Sequence, residues 1–183
     1  DVYGEVVDGI ADAAKQIKLG PGLSEETEMG PLVSGEQLTR VTDYMNAGQE
    51  AGATCVTGGN RLGEQGYFVS PTVFKDASKD MSIVREEIFG PVVVASPFEN
   101  VEEIIERSND STYGLAAGIW TKDIAKAHRT AARLRAGTVW INCYNIFDSA
   151  LPFGGYKQSG WGREMGHEVL DLYTETKAVC IGL

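Results

Sequence analysis

An α/β fold with a mostly parallel sheet is predicted for this 183-residue sequence from its composition and from the order of its elements. Strand-like apolar runs alternate with helix-like periodic segments through the middle of the chain, and this order predicts parallel strands covered by helices on both faces. The chain is 43% hydrophobic and 23% charged, which is the ordinary mixture of a globular protein. Its length fits one domain.

Two amphipathic helices are predicted in the first third of the chain. The first covers residues 2–18, where apolar residues recur at helical spacing until Gly20-Pro21-Gly22 interrupts the pattern. The second covers about residues 36–51, with Ser34 as its N-cap and Gly52 as the glycine after its last turn. One side of this second helix carries Leu38, Val41, Tyr44, Met45 and Gly48.

Short extended segments follow these helices. Residues 54–57 predict a strand, and residues 67–69 are expected to return as its hairpin partner. Residues 71–74 predict another extended piece. The apolar run at residues 92–95 has no alternation, which is typical of a strand buried on both faces.

The second half of the chain alternates helix and strand and then ends in an irregular tail. The predicted segments are a helix at 101–108, a strand at 116–120, a helix at 123–135 ended by Gly137, and a strand at 138–141. The predicted helices turn apolar stripes inward, formed by Val101, Ile104 and Ile105 and by Ile124, Ala127, Ala131 and Leu134. The tail consists of a glycine-rich loop at 144–163, a short helix at 164–171 and a final strand at 174–181.

Charge and composition exclude several classes of function. The net charge of −10 argues against binding to nucleic acid or to an anionic membrane, because both require clustered cations. Three widely spaced cysteines without a CxxC pair indicate a reducing, cytosolic setting, and two histidines without HExxH spacing argue against a metal site. No apolar run approaches the roughly 20 residues of a membrane span. Because the sequence opens with Asp1 inside a helical pattern, we expect a fragment.

Three segments could carry chemistry, and each has a simpler structural interpretation. Glu86 to Pro91 is either a solvated turn entering a strand or a carboxylate held at a strand mouth. Residues 152–164 have phosphate-loop glycine spacing, but Trp161 stands where that loop needs lysine, which leaves an irregular loop or an aromatic-lined pocket. Cys143 follows a strand and could be a nucleophile, although a small buried hydrophobe is favoured.

These segments and others resemble the NAD(P)-dependent aldehyde dehydrogenase superfamily along essentially the whole chain. The similar stretches, in the order of the family, are residues 28–32, 66–73, 86–91, 109–116, 137–142 and 152–164. The run Phe153-Gly154-Gly155-Tyr156-Lys157-Gln158-Ser159-Gly160 is specific to this superfamily. The resemblance implies the C-terminal part of the three-layer αβα catalytic domain, close to the betaine, phenylacetaldehyde and mitochondrial-like members.

The family's chemistry is covalent. A cysteine thiolate attacks the aldehyde to give a thiohemiacetal, hydride passes to the nicotinamide, and a glutamate-activated water releases the acid. The resemblance implies that the Glu87 carboxylate binds the hydroxyl groups of the nicotinamide ribose, that Phe89 packs beside this ribose, and that Leu115 contacts the nicotinamide region. Gln37 and Arg40 match positions near the adenosine side of the cofactor.

The remaining matched residues concern the substrate. Phe147 and Phe153 match aromatics of the substrate tunnel, and Cys143 and Asn145 belong to the same loop. Glu164 matches a glutamate of the water and proton path. An aromatic tunnel favours aryl or medium alkyl aldehydes, with a quaternary ammonium substrate as the alternative.

Parts of the family machinery are not in this sequence. The nucleophilic cysteine, the general-base glutamate and the cofactor domain lie upstream of the stretch that Asp1 begins, so we expect the chain alone to be inactive. NAD is the expected cofactor, with NADP as the alternative. A homodimer or homotetramer is expected, joined in part by the strand at 174–181. A non-catalytic scaffold and a lyase or reductase on the same fold are the competing hypotheses, and the retained Glu87, Phe89 and Glu164 favour the dehydrogenase.

Overall fold

The computed structural model describes residues 2–183, which divide into two compact units at residue 97. The first unit contains the helices α1 (Tyr3–Gln16), α2 (Gly35–Glu50) and α3 (Ser82–Arg85), and the strands β1 (Thr54–Thr57), β2 (Thr72–Lys75) and β3 (Val92–Val94). The second contains α4 (Val101–Asn109), α5 (Ile124–Ala131) and α6 (Leu170–Tyr173), and the strands β4 (Tyr113–Gly114), β5 (Ala116–Ile119), β6 (Thr138–Ile141) and β7 (Tyr156–Lys157).

The first unit is built around the central strand of a three-stranded sheet. β2 pairs with β1 in antiparallel and with β3 in parallel orientation, so the sheet order is β1-β2-β3. Thr72, Val73 and Phe74 of β2 are all buried. Successive side chains of a strand point to opposite faces, and β2 contacts α1 and contributes Phe74 to the cluster that contains residues of α2. One cluster of buried residues joins α2 to the sheet and consists of Leu38, Val41, Met45, Ala53, Val69, Phe74, Ile83 and Ile88.

The predicted limits of α2 are confirmed by its capping contacts. The Ser34 hydroxyl oxygen accepts a hydrogen bond from Gln37 N at 3.1 Å, which satisfies one of the free N–H groups of the first turn. At the other end Gly52 has a φ of +98°, a conformation that glycine adopts without the clash of a Cβ. The helix predicted at residues 2–18 also forms, as α1.

Two strand predictions in this unit are wrong in detail. The partner of β1 is β2, whereas residues 67–69 contribute only a single bridge between Val69 and Arg61. The observed pairing places β2 between β1 and β3, whereas the predicted hairpin would leave β2 at an edge of the sheet. β3 lies at the sheet edge and Val93 is 48% exposed, so this strand is not buried on both faces. An apolar run does not specify how many faces its neighbours cover.

The second unit contains a parallel pair and a short antiparallel pair. β5 and β6 are parallel, with Ala116 opposite Thr138 and Ile119 opposite Ile141. α5 connects them, as the alternating strand–helix–strand pattern predicts. β4 and β7 pair in antiparallel orientation, which ties the glycine-rich tail to the segment that precedes β5.

Several boundaries in this unit differ from the predictions. α5 is shorter than residues 123–135 and leaves Ile124 59% exposed, so Ile124 is not part of the buried stripe. Gly137 does not end this helix. A Cβ on Gly137 would clash with the carbonyl oxygen of Gly154, so the glycine permits the glycine-rich loop to approach β6.

The tail also departs from the prediction. A bridge between Glu164 and Phe153 replaces the start of the helix expected at residues 164–171, and the only helical turn there is α6. Residues 174–181 form no strand within the described residues, and their side chains are all exposed. A strand requires a hydrogen-bonded neighbour, which the chain itself does not provide for this segment. No helix within residues 2–183 combines the length and apolar character that crossing a membrane requires.

Candidate active site

The turn between α3 and β3 presents two of the predicted site residues, Glu87 and Phe89. Ile88 between them is buried, while Phe89 is 72% exposed and Glu87 is exposed. Phe89 has a φ of +57°, in the left-handed region that a bulky residue rarely adopts. Both residues line a cavity of about 420 Å³ that also borders Val92 and Val94 of β3.

Gln37 and Arg40 of α2 contact this turn through its backbone. Gln37 Nε2 donates hydrogen bonds to the carbonyl oxygens of Ile88 at 3.1 Å and Phe89 at 2.8 Å. An Arg40 guanidinium nitrogen donates to the carbonyl oxygen of Glu87 at 2.8 Å. The two residues predicted to lie near the adenosine side of the cofactor therefore bind three successive carbonyl groups of the turn that bears Glu87.

Two further contacts fit the turn against α2. The Tyr44 hydroxyl donates a hydrogen bond to a carboxylate oxygen of Glu86 at 2.6 Å, which directs Glu86 toward the helix. A Cβ on Gly90 would lie 2.6 Å from a Val41 methyl group, so only glycine permits this approach. The two neighbouring glutamates thus differ in environment, because Glu86 bonds to α2 whereas the Glu87 side chain takes part in no hydrogen bond or ion pair within residues 2–183.

In the second unit, Leu115, Phe153 and Glu164 line a common cavity of about 330 Å³. Phe153 N donates to the Glu164 carbonyl oxygen at 2.7 Å, and Glu164 N donates to the Phe153 carbonyl oxygen at 2.8 Å. This reciprocal pair holds two of the predicted site residues side by side. Arg163 stabilises the same loop by donating to the carbonyl oxygens of Gly155 at 3.0 Å and Gly162 at 2.6 Å.

The predicted tunnel aromatics lie in one cluster with Trp140. The ring centroids of Phe147 and Phe153 are 5.1 Å apart at an interplanar angle of 81°, and those of Phe147 and Trp140 are 5.7 Å apart at 89°. Both are edge-to-face arrangements, which aromatic quadrupoles favour. The Trp140 indole N–H donates to the Ile146 carbonyl oxygen at 2.8 Å, so the buried end of β6 anchors the loop that carries Phe147.

The other two loop residues have different environments. Cys143 is half-buried, and Asn145 is exposed with a φ of +59°. Neither lines the cavity that Leu115, Phe153 and Glu164 share. Among the remaining thiols, burial raises the pKa of Cys55, with partial opposition from a hydrogen bond with the backbone of Thr57. A raised pKa keeps Cys55 protonated at neutral pH, which is typical of a structural thiol.

Sequence reasoning did not identify two residues that shape the site. Trp140 lies near the end of a strand. Its indole N–H could have indicated a polar contact, because this group needs a partner when the ring is buried. Arg163 lies within the glycine-rich segment, where several free carbonyl groups require donors. In both cases the residue type indicated the need for a polar contact but not its partner.

Comparisons with known proteins identify the family of this chain. The family whose sequence model matches residues 1–179 is described as the Aldehyde dehydrogenase family. A mitochondrial aldehyde dehydrogenase of Leishmania tarentolae is 51% identical over 178 residues, which are 97% of this chain and 36% of that protein.

Solved structures are similar over the same extent. The NAD⁺ complex of an aldehyde dehydrogenase from Bacillus cereus is 58% identical with a TM-score of 0.94, covering 97% of this chain and 36% of that one. A betaine aldehyde dehydrogenase from Staphylococcus aureus in complex with NAD⁺ is 44% identical with a TM-score of 0.88, covering 94% of this chain and 35% of that one. The chain thus spans roughly a third of the length of these relatives. With its α/β fold and its family match over nearly every residue, the chain belongs to the aldehyde dehydrogenase family.

Proposed function

We propose that this chain is the C-terminal portion of the catalytic domain of an enzyme that oxidises aldehydes to carboxylic acids with NAD. One observation supports the proposal most. The turn at residues 86–90 keeps an unpaired carboxylate, that of Glu87, and an exposed ring, that of Phe89, on the rim of one cavity. The left-handed backbone at Phe89 is the kind of strain that accumulates at ligand sites.

The residues present fit the cofactor that the similar enzymes bind. The Glu87 carboxylate is exposed and free of protein partners, so it can accept hydrogen bonds from the two vicinal hydroxyls of a ribose. Phe89 offers an exposed aromatic face beside it. In such an enzyme NAD, when bound, supplies the electron acceptor for the oxidation, and the protein groups hold it in position. The NAD⁺ complexes of two similar enzymes support NAD over NADP.

The second unit would supply substrate contacts. Phe147 and Phe153 offer two perpendicular rings to an apolar aldehyde, and Leu115 and Glu164 border the cavity beside Phe153. We assign Leu115 to the nicotinamide region and Glu164 to the path of water and protons. We assign Cys143 and Asn145 to the substrate-pocket loop that carries Phe147, outside the cavity that Leu115 shares with Phe153, and we do not assign Cys143 as the nucleophile.

The nucleophilic cysteine and the general-base glutamate would belong to another part of the enzyme, so the 183 residues alone are expected to be inactive. The exposed segment at residues 174–181 would pair with a neighbouring subunit in a homodimer or homotetramer. The cytosol is the expected compartment, because the three cysteines are free.

Substitution of Glu87 in the full-length enzyme tests the proposal. In E87Q we expect kcat at saturating NAD to fall about tenfold or more, because loss of correct orientation is costly, while the KM for NAD changes less. The matched control is E86Q, since the neighbouring carboxylate already accepts a hydrogen bond from the Tyr44 hydroxyl. Unchanged turnover in E87Q would overturn the assignment of Glu87. Absence of aldehyde-dependent NAD reduction by the wild-type enzyme would favour the non-catalytic scaffold instead.

A further inference from the structure

The three hydrogen bonds from α2 to the turn share a common geometry. Gln37 and Arg40 are three residues apart in the helix, so their side chains project from the same face. Between them they bind the carbonyl oxygens of Glu87, Ile88 and Phe89 at 2.8–3.1 Å. Three successive carbonyl groups of a single turn are therefore bound by two side chains of one helix.

The helix that supplies these donors is rigidly held. Its first turn is capped by Ser34, and its inner face buries Leu38, Val41 and Met45 in the core of the first unit. The turn, in contrast, has the strained φ of +57° at Phe89, whose ring is 72% exposed and gains little from burial there. A bulky residue keeps a left-handed conformation only when its surroundings impose it. The buried Ile88 and the bonds of Gln37 and Arg40 act on residues 87–89 themselves, whereas the Tyr44 bond to Glu86 and the contact of Gly90 with Val41 act on the flanking residues.

We propose that Gln37 and Arg40 are positioning residues that hold the turn at residues 87–89 in its left-handed conformation and thereby direct the Glu87 carboxylate and the Phe89 ring to the cavity. The role of the turn in catalysis rests on the proposed function. The alternative assignment, in which both side chains contact the adenosine part of NAD directly, predicts loss of NAD affinity without any change in the turn.

The substitution Q37E in the full-length enzyme gives the sharpest test. It keeps the size of the side chain but replaces the amide group that donates both hydrogen bonds with an oxygen that faces two carbonyl oxygens. The control Q65E makes the same change of charge in an exposed loop of the same unit. A second pair of variants tests Arg40. R40M removes the donor for the Glu87 carbonyl oxygen, and R40K retains one.

The first measurement is hydrogen exchange, in the absence of NAD, of the backbone amides of Glu86 and Val92, which flank the turn and donate hydrogen bonds to the carbonyl oxygens of Ser82 and Gly90. We expect exchange in Q37E and R40M to rise about tenfold, because a turn that loses its partners opens more often, while Q65E and R40K stay close to wild type. Unchanged exchange in both Q37E and R40M would overturn the proposal, whatever the activity.

The second measurement separates positioning from direct binding. In Q37E and R40M we expect kcat at saturating NAD to fall about tenfold, with R40K restoring most of it and the Kd for NAD changing by less than about threefold. A large loss of NAD affinity with wild-type exchange would support direct contact and overturn the proposal. Faster exchange with unchanged kcat would overturn the link between the turn and catalysis. If the wild-type enzyme oxidises no aldehyde, the proposed function fails, while the exchange measurement still decides whether α2 holds the turn.

Discussion

The side chain of Asn142 forms two hydrogen bonds with the backbone of Thr121. Its Oδ1 accepts from Thr121 N at 2.9 Å, and its Nδ2 donates to the Thr121 carbonyl oxygen at 2.9 Å. Asn142 has a φ of +55° and directly follows β6, so it changes the direction of the chain as it enters the loop of Cys143 and Phe147. Asparagine suits this position because it tolerates the left-handed conformation and carries both a donor and an acceptor.

Substitution of Asn142 should separate these two contributions. We expect N142G, which permits the conformation but loses both hydrogen bonds, to lower the free energy of unfolding by about 1–2 kcal/mol. N142A should cost about 1 kcal/mol more, because alanine also carries the strain of the positive φ. Urea unfolding measures both values. Equal stability of N142G and wild type would mean that the bonds to Thr121 contribute nothing.

The buried hydroxyl of Thr72 joins β2 to the loop before it. Thr72 Oγ1 donates to the Ser70 carbonyl oxygen at 2.7 Å and accepts from Gly59 N at 2.9 Å, and the residue is 2% exposed. We expect T72V, which has nearly the same shape, to lower the free energy of unfolding by about 1–3 kcal/mol, because two backbone groups lose a buried partner.

The control is T57V in the adjacent β1, where the hydroxyl forms no hydrogen bond within residues 2–183. That variant should change the free energy of unfolding by no more than about 0.5 kcal/mol. Comparable effects of the two substitutions would show that the Thr72 hydroxyl bonds do not stabilise the unit.

A bidentate ion pair joins α4 to the segment after α5. Two guanidinium nitrogens of Arg133 donate to the two carboxylate oxygens of Glu102 at 2.7 and 2.5 Å. The hydrogen bonds from Arg133 lower the pKa of Glu102 below its ordinary value, with partial opposition from desolvation. Because the pKa is depressed in the folded state, the pair stabilises the protein above the unfolded-state pKa, and this stabilisation is lost as pH falls through the folded-state pKa.

The variant E102Q should therefore be less stable than wild type at neutral pH. We expect the difference to shrink as the pH is lowered to about 3 and to shrink also in high salt, because the pair is exposed. The control is E106Q on the same helix, whose side chain forms no ion pair within residues 2–183. A difference between E102Q and wild type that is independent of pH would contradict the prediction.

Under the proposed function, the aromatic pair of Phe147 and Phe153 would contribute to the choice of aldehyde by the full-length enzyme. We expect kcat/KM to be higher for phenylacetaldehyde than for betaine aldehyde, because two perpendicular rings can hold an aryl group. F153L keeps an apolar side chain but removes the ring, and it should reduce this preference by about 0.5–1.5 kcal/mol, or roughly two- to tenfold.

The matched control for this substitution is F98L, an exposed phenylalanine at the start of the second unit. It should leave the preference as it is in the wild-type enzyme. A strong preference of the wild-type enzyme for betaine aldehyde, lost in F153L, would instead support recognition of a quaternary ammonium group by the aromatic cluster.

Local signals predicted much of this structure correctly. The N-cap Ser34, the terminal Gly52 and the strand–helix–strand order of β5, α5 and β6 follow from interactions between residues close in sequence, which helical spacing and turn chemistry reveal. The blocks of family-like sequence also identified Glu87 and Phe89 as neighbours on one turn, since only one residue separates them.

Tertiary structure decided the partners, the exposure and the backbone conformation of several of these residues. The partner of β1, the exposure of Val93 and the left-handed conformation of Phe89 depend on which segments pack together. The bonds of Gln37 and Arg40 to the turn join residues 47 to 52 positions apart. No periodicity or local spacing encodes such contacts, because they form only when the core of Leu38, Val41 and Ile88 brings α2 against the turn. The sequence by itself thus determined the elements and the family, and the packing of the core determined how the carboxylate of Glu87 is presented.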